Sequence, residues 1–230
     1  MTTTTITSSR TFIAADRINR SLTAASEARA LRWLAEHAPR WVTSDRLTLL
    51  GFNAQVLAGV AFAASRLWRP ALLLVILCLA LNWLGDSLDG TLARVRHQQR
   101  PRYGFYVDHV VDIFGAAALI GGLSLSGLLH GWTAAALLVA FLLLAAESYL
   151  ATYTLARFQL SQGLFGPTEV RILLAIGILA VLHNPYANLL GHRMLLFDLG
   201  GAIAAAIMFV MAVVTAARHT AELFRQEPLP

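Results

Sequence analysis

Six apolar stretches, each roughly 20 residues long, restrict what this chain can fold into. Inside a bilayer the backbone must satisfy its own hydrogen bonds, and uninterrupted apolar runs of this length do so as helices. A composition of 57% hydrophobic and 13% charged residues also lies outside the range of soluble domains. We therefore predict an all-α integral membrane protein whose six transmembrane helices cover about residues 47–65, 71–92, 103–129, 132–157, 169–190 and 195–217.

The segment before the first apolar stretch divides into a polar tail and an amphipathic helix. Residues 1–12 are rich in threonine and serine, which predicts a disordered tail. Across residues 13–40, apolar residues such as Leu31 and Leu34 recur at helical spacing while arginines occupy other faces. This pattern is typical of an interfacial helix, and a helix packed on the domain fits it as well. Residues 41–220 are then the six-helix domain, followed by a C-terminal tail at 221–230.

The arginines predict the orientation in the membrane. All 18 basic residues are arginine, and with a cytoplasmic N-terminus only Arg66, Arg69 and Arg193 fall on the opposite side. Because this asymmetry follows the positive-inside rule, we expect the N-terminus and the loop after the second span to face the cytoplasm, in an inner (cytoplasmic) membrane. Topology accounts for the positive charge, so no nucleic-acid partner is expected. The single cysteine, Cys78, excludes a disulfide framework.

Four aspartates stand out between the second and third apolar stretches. Asp86 and Asp89 are spaced i, i+3, and Asp108 and Asp112 are spaced i, i+4, so each pair shares one helix face. Ionised carboxylates in a membrane segment are costly and usually functional. Four of them in one place would repel one another unless cations neutralised them, and oxygen ligands favour Mg²⁺ or Mn²⁺. We therefore predict that these four aspartates form a metal site.

The aspartates belong to a longer pattern. It runs D-x2-D-G-x2-A-R, then nine residues, then G-x3-D-x3-D. This pattern resembles the signature of the CDP-alcohol phosphotransferase family, with no departure over its 27 residues. The eight matching positions are Asp86, Asp89, Gly90, Ala93, Arg94, Gly104, Asp108 and Asp112.

The resemblance implies a metal-dependent membrane enzyme of phospholipid biosynthesis. Such an enzyme moves a substituted phosphate from a CDP-linked donor to a hydroxyl acceptor, an alcohol or a lipid, and releases CMP. Asp86, Asp89 and Asp108 are then ligands of two Mg²⁺ or Mn²⁺ ions. Asp112 either completes the metal site or accepts the proton of the acceptor hydroxyl. Members of the family form homodimers, so a homodimer is expected here too.

Five residues are candidates for binding the nucleotide. Small side chains at Gly90 and Ala93 would let it approach the helix backbone, although close helix packing explains them nearly as well. Arg94 is expected to pair with a donor phosphate. Gly104 is expected to let two helices approach closely at the metal ions. Asn82 lies one turn before the first aspartate.

Three further stretches bear on the substrate. His109 follows the third aspartate, and Glu147-Ser148-Tyr149 and Phe165-Gly166-Pro167-Thr168-Glu169 occur later in the chain. All three resemble stretches of the eukaryotic choline and ethanolamine phosphotransferases. This resemblance favours a CDP-aminoalcohol donor with diacylglycerol as the acceptor. The alternative is a CDP-diacylglycerol donor with a small polar acceptor of the glycerol phosphate, inositol phosphate or serine type.

Several polar residues within apolar stretches have two interpretations. Glu147 either orients the acceptor or the base, or pairs with an arginine at a helix interface. Glu169 either belongs to the site or stabilises the first turn of its helix. Asn53 and Gln55 are expected to join helices by hydrogen bonds. The catalytic candidates are therefore Asp108, His109, Asp112 and Glu147.

Two other classes of membrane protein use acidic residues. Intramembrane prenyltransferases also bind a metal pyrophosphate, but they have more spans and two acidic motifs that stand far apart in sequence. A small cation-coupled transporter would use its carboxylates to carry ions, and it predicts inverted repeats or broken helices that this sequence does not show. The transporter class also assigns no role to Gly90, Ala93 and Arg94.

Overall fold

The computed structural model describes residues 16–18, 24–155, 157–159, 166–189 and 191–227. The predicted tail at residues 1–12 lies outside them. The described residues form seven helices, α1 (Ala24–His37), α2 (Ser44–Ala64), α3 (Ala71–Val95), α4 (Pro101–Leu125), α5 (Gly131–Leu155), α6 (Pro167–His183) and α7 (Leu196–Gln226). They also form four short strands, β1 (Asp16–Ile18), β2 (Arg157–Gln159), β3 (Tyr186–Leu189) and β4 (His192–Leu195).

Each of the helices α2 to α7 overlaps one of the six predicted spans, although α6 ends earlier and α7 continues further than predicted. Among the described residues, five helices are long and apolar enough to cross a membrane, namely α2, α3, α4, α5 and α7. The helix α6 is apolar too, but its 17 residues are slightly fewer than the ~20 of a typical span. The prediction of an all-α integral membrane protein is confirmed.

The N-terminal helix is shorter than the predicted range of 13–40. The helix α1 has 14 residues, and Asp16–Ile18, inside the predicted range, is a strand instead. The backbone of Asp16–Ile18 pairs in parallel with Arg157–Gln159, which follows α5. The helical spacing of apolar residues is a local signal, so it cannot reveal a pairing with a segment so far along the chain.

The helix α1 packs on the domain through one face. Leu31 and Ala35 are buried against Leu47 of α2 and against Leu88 and Leu92 of α3. The opposite face is exposed, including the ring of Trp33 at 59% of its surface. The helix therefore packs on the domain, and an interfacial position of its exposed face stays a prediction.

The link between α1 and α2 is tied to the end of α3. The Arg96 guanidinium donates hydrogen bonds to the carbonyl oxygens of Val42, Ala38 and Pro39 at 2.5, 2.9 and 3.0 Å. These carbonyl groups lie where the chain turns from one helix into the next, so they have no partner within a helix. One side chain of α3 thus holds the turn that precedes α2.

The chain between α6 and α7 forms a β-hairpin, where the sequence predicted the end of a helix. The helix α6 ends at His183 and not near residue 190, because Pro185 cannot continue it. The strands β3 and β4 pair in antiparallel fashion. Gly191 in the connecting turn has φ +83°, a left-handed conformation that glycine adopts without strain.

Glycine contacts let α2 pack closely against both α3 and α4. A Cβ atom on Gly85 of α3 would lie 2.5 Å from the backbone nitrogen of Gly51. A Cβ atom on Gly122 of α4 would lie 1.9 Å from the carbonyl oxygen of Gly59. Since membrane helices gain most of their association from close packing, these contacts hold α3 and α4 against the same helix.

We predict opposite effects of alanine at the neighbouring positions 121 and 122. Gly122→Ala forces a methyl group into the Gly59 carbonyl, and such overpacking costs about 1–3 kcal/mol. At Gly121 a methyl group meets no atom within 4 Å, and alanine stabilises a helix interior by about 0.5–1 kcal/mol relative to glycine. Thermal unfolding in detergent should give a lower Tm for Gly122→Ala and an unchanged or higher Tm for Gly121→Ala. Equal Tm values would contradict the close contact.

Candidate active site

Four aspartates from two helices line one small cavity beside α2. Asp86 and Asp89 belong to α3, and Asp108 and Asp112 belong to α4. The cavity has a volume of about 10 Å³, which is room for about one water-sized group. The rest of its lining comes from Thr48, Gly51, Phe52, Gln55, Asn82 and Val111. The structure thus brings together all four predicted metal ligands and Asn82.

The carboxylate of Asp89 is held by neighbours on α2 and by its own helix. Only 5% of Asp89 is exposed. The Thr48 hydroxyl donates to its Oδ2 atom at 2.6 Å, and the backbone N–H of Gly90 donates to Oδ1 at 2.5 Å. The Ser44 hydroxyl donates to the Asp89 carbonyl oxygen at 3.0 Å. Thr48 and Ser44 were missed from the sequence, although their i, i+4 spacing places them on one helix face.

The carboxylate of Asp86 forms an ion pair with a residue of α6. The Arg171 guanidinium donates to Asp86 Oδ2 at 2.6 Å and to Asn82 Oδ1 at 2.7 Å. Asn82 in turn donates to the Gly51 carbonyl at 3.0 Å and to Gln55 at 3.4 Å, so Gln55 joins helices as predicted. From the sequence, Arg171 was expected only to add to the positive charge on the cytoplasmic side. Its Nη1 atom is buried and has no hydrogen-bond partner among the described residues.

The donor chemistry of the small cavity fits a hard divalent cation, because carboxylates and a hydroxyl offer oxygen ligands only. Among the described residues, no three His, Cys, Asp or Glu side chains are grouped closely enough to hold an ion. The binding of two Mg²⁺ or Mn²⁺ ions by these residues stays a prediction.

A second, larger cavity adjoins the first. It has a volume of about 290 Å³ and shares Thr48, Asp89 and Asp108 with the small cavity. Its walls include the predicted nucleotide-binding residues Gly90, Ala93, Arg94 and Gly104. The Arg94 guanidinium donates to the Thr91 hydroxyl at 2.9 Å within α3. Four of the five predicted nucleotide-binding residues therefore line one cavity next to the aspartates.

Gly104 was expected to let two helices approach closely, and this expectation is wrong. A Cβ atom on Gly104 would meet no atom within 4 Å, so this glycine does not serve close packing of two helices. The absent side chain instead leaves space in the wall of the larger cavity. The close contacts occur at other glycines, where α2 packs against α3 and α4.

Two polar residues lie at the rim of the larger cavity. The Arg100 guanidinium pairs with the Asp45 carboxylate and lies over the Tyr103 ring, 4.1 Å from its centre. The hydrogen bond from Arg100 to Asp45 raises the pKa of the guanidinium above its ordinary value. The pair joins the start of α2 to the start of α4.

His109 and Glu147, predicted as catalytic, take part in other contacts. The His109 ring lies 4.1 Å from the Phe105 ring and 4.6 Å from the Tyr149 ring, centre to centre. Glu147 pairs with His219 at 2.5 Å and joins α5 to α7, so its partner is a histidine and not an arginine. In the described part of the chain, neither residue lines the two cavities. Their catalytic roles stay predictions.

Glu169 stabilises the start of α6. Its Oε2 atom accepts a hydrogen bond from the backbone N–H of Gly166 at 2.9 Å, and the residue is 7% exposed. An N–H group at a helix start has no partner within the helix, so this contact supplies one. The structure supports the first-turn interpretation of Glu169.

Comparison with known proteins identifies the family. The sequence model of the CDP-alcohol phosphatidyltransferase family matches residues 37–217. The chain belongs to this family. It is therefore a transferase of phosphate-containing groups in phospholipid biosynthesis, and the aspartate pattern was recognised correctly. No curated protein sequence matches the chain.

A solved structure shares the fold. It is the crystal structure of Mycobacterium tuberculosis phosphatidylinositol phosphate synthase (PgsA1) with CDP-DAG bound. The match has a TM-score of 0.55 at 19% sequence identity, and it covers 86% of this chain and 93% of that chain. The fold of this chain is thus found in a structure with low sequence identity.

We predict that Thr48 stabilises the folded site through Asp89. Thr48→Val removes the hydroxyl but keeps the shape, and a buried carboxylate that loses a donor costs about 1–3 kcal/mol. Thr48→Ser keeps the hydroxyl and serves as the matched control. Thermal unfolding in detergent without divalent cations should give a clearly lower Tm for Thr48→Val than for Thr48→Ser. A valine variant as stable as the wild type would argue against the contact.

Proposed function

We propose that this enzyme transfers a phosphatidyl group from CDP-diacylglycerol to the hydroxyl group of a small polar alcohol and releases CMP. The observation that carries the proposal is the shared wall of the two cavities. Asp89 and Asp108 line both, so a nucleotide in the larger cavity would present its diphosphate to the four carboxylates. The family match and the similar fold of a protein crystallised with CDP-DAG support this choice of donor.

A second candidate is transfer from CDP-choline or CDP-ethanolamine to diacylglycerol. The Asp108-His109 pair and the Phe165–Glu169 stretch favour it by their resemblance to that branch of the family. Two contacts weaken this argument, since His109 packs against aromatic rings and Glu169 stabilises a helix start. We therefore rank it second.

The residues of the two cavities have the following roles in the proposed reaction. Gly90, Ala93 and Gly104 leave room for the nucleotide, and Arg94 pairs with a donor phosphate. The four aspartates would hold Mg²⁺ or Mn²⁺, which when bound neutralises the diphosphate and makes CMP a better leaving group. Either Asp112 accepts the proton of the acceptor hydroxyl at a carboxylate oxygen, or it serves only as a ligand.

The proposal includes the surroundings of the site. By the distribution of arginines, the aspartates open toward the cytoplasm, where CDP-linked donors are found. The acceptor enters from that side, and the phospholipid product leaves into the membrane. A homodimer is proposed from the resemblance to the family alone.

The decisive experiment measures CMP release by the purified protein in detergent or vesicles. CDP-diacylglycerol is supplied with glycerol 3-phosphate, inositol 1-phosphate or serine, and CDP-choline or CDP-ethanolamine with diacylglycerol. Each reaction is run with Mg²⁺, with Mn²⁺ and with EDTA. We expect metal-dependent CMP release from CDP-diacylglycerol. Release from the CDP-aminoalcohols alone would replace the proposal with the second candidate, and no release from any donor would disprove both.

We predict that Asp89→Asn abolishes turnover while the protein still folds. The amide keeps the size of the side chain but loses the charge that a cation needs. The matched control is Asp198→Asn, because Asp198 pairs with His130 at the start of α7, away from both cavities. CMP release and Tm are measured for both variants. If Asp89→Asn keeps wild-type turnover, the assignment of Asp89 as a metal ligand is wrong.

We also predict that Gly104→Leu blocks donor binding without unfolding the protein. The leucine side chain meets no neighbour at its Cβ but extends into the 290 Å³ cavity. Gly121→Leu, at the other open glycine of α4, is the matched control. Titration of CDP in a calorimeter should show at least roughly tenfold weaker binding for Gly104→Leu, because a loss of about 1.4 kcal/mol in binding free energy raises Kd tenfold. Unchanged CDP affinity would place the nucleotide elsewhere.

A further inference from the structure

Glu27 of α1 accepts three hydrogen bonds from two other helices. Its Oε1 atom lies 2.7 Å from the Trp83 indole nitrogen, 3.1 Å from the Ser87 hydroxyl and 2.9 Å from the Thr168 hydroxyl. Trp83 and Ser87 belong to α3, and Thr168 belongs to α6. A single carboxylate oxygen therefore ties three helices together.

The three donors lie next to residues of the active site. Ser87 follows Asp86 directly, and Trp83 lies one turn earlier on the same face as Ser87. At about 100° per residue, this face is roughly a third of a turn away from the face of the aspartates. Thr168 lies one turn before Arg171, which pairs with Asp86 at 2.6 Å. Glu27 thus binds the turns of α3 and α6 that carry this ion pair.

Hydrophobic packing alone does not set this arrangement. The helix α1 touches α3 through Leu31 and Ala35, which pack on Leu88 and Leu92. Such contacts are non-directional and permit small shifts along a helix. Hydrogen bonds require a narrow range of distance and angle, so the three bonds to Glu27 specify the relative position of α3 and α6.

We propose that Glu27 is a positioning residue that holds α3 and α6 so that Asp86 keeps its place in the active site. The inference rests on the proposed role of Asp86 as a metal ligand. Glu27 acts through the two helices it binds, because in the described part of the chain it lines neither cavity. The N-terminal helix is therefore part of the framework of the active site.

Substitutions at Glu27 separate positioning from mere stability. Glu27→Ala removes the acceptor, and a displacement of about 1 Å in a reacting group costs on the order of 100-fold in rate. We expect kcat to fall at least ~10-fold with the KM for the donor nearly unchanged, since the nucleotide cavity is on another face. Glu27→Gln keeps an oxygen acceptor and should restore most of kcat. Glu36→Ala is the control on the same helix, because Glu36 pairs with Arg32 on the exposed side.

Thr168→Val provides a milder variant that removes one of the three bonds and keeps the side-chain shape. Its kcat should fall less than that of Glu27→Ala and in the same direction. A folded Glu27→Ala protein with wild-type kcat would overturn the inference. So would equal losses in Glu27→Ala and Glu27→Gln, or a change in KM alone.

A measurement without turnover tests the contact by itself. Glu27→Ala, Thr168→Val and the double variant are unfolded thermally, and the two effects should be less than additive, because the residues contact each other. Additive effects would disprove the contact. If the wild type releases no CMP from any donor, the proposed function fails, and this stability cycle alone decides whether Glu27 joins α1 to α6.

Discussion

The close packing of α2 against both α3 and α4 is the constraint on which the site depends. Carboxylates repel one another, so Asp86, Asp89, Asp108 and Asp112 do not converge by themselves. Steric fit brings them together, since glycines at 51, 59, 85 and 122 let three backbones approach within contact distance. Close packing at these glycine contacts therefore holds the helices that carry the charged groups near one another.

Residues outside the aspartate motif make this concentration of charge tolerable. Burying a carboxylate without partners is costly, and here Thr48 and Ser44 of α2 hold Asp89 while Arg171 of α6 compensates Asp86. Glu27 accepts hydrogen bonds from another face of α3 and from the start of α6. The site is consequently a property of five helices, although its sequence signature occupies only two of them.

The sequence predicted what local patterns encode. Apolar runs predicted the six helices, and the spacing of the aspartates predicted their shared faces and common cavity. Contacts between distant segments leave no such pattern, so Arg171, Thr48, Glu27 and the pairing of β1 with β2 were missed. Gly104 shows a different limit. A glycine in a helix is compatible with a close contact and with an open cavity, and only the atoms around it distinguish the two.

The way α1 is fastened has a consequence for biosynthesis. This helix precedes α2 to α7 in the chain, yet one of its hydrogen-bond partners is Thr168 at the start of α6. Its contact with α6 can form only after most of the chain has been translated and inserted. A nascent chain that already contains all four aspartates therefore lacks the fastening between α1 and α6. The contact of Glu27 with two other helices is therefore completed late, when the start of α6 reaches a helix that was made much earlier.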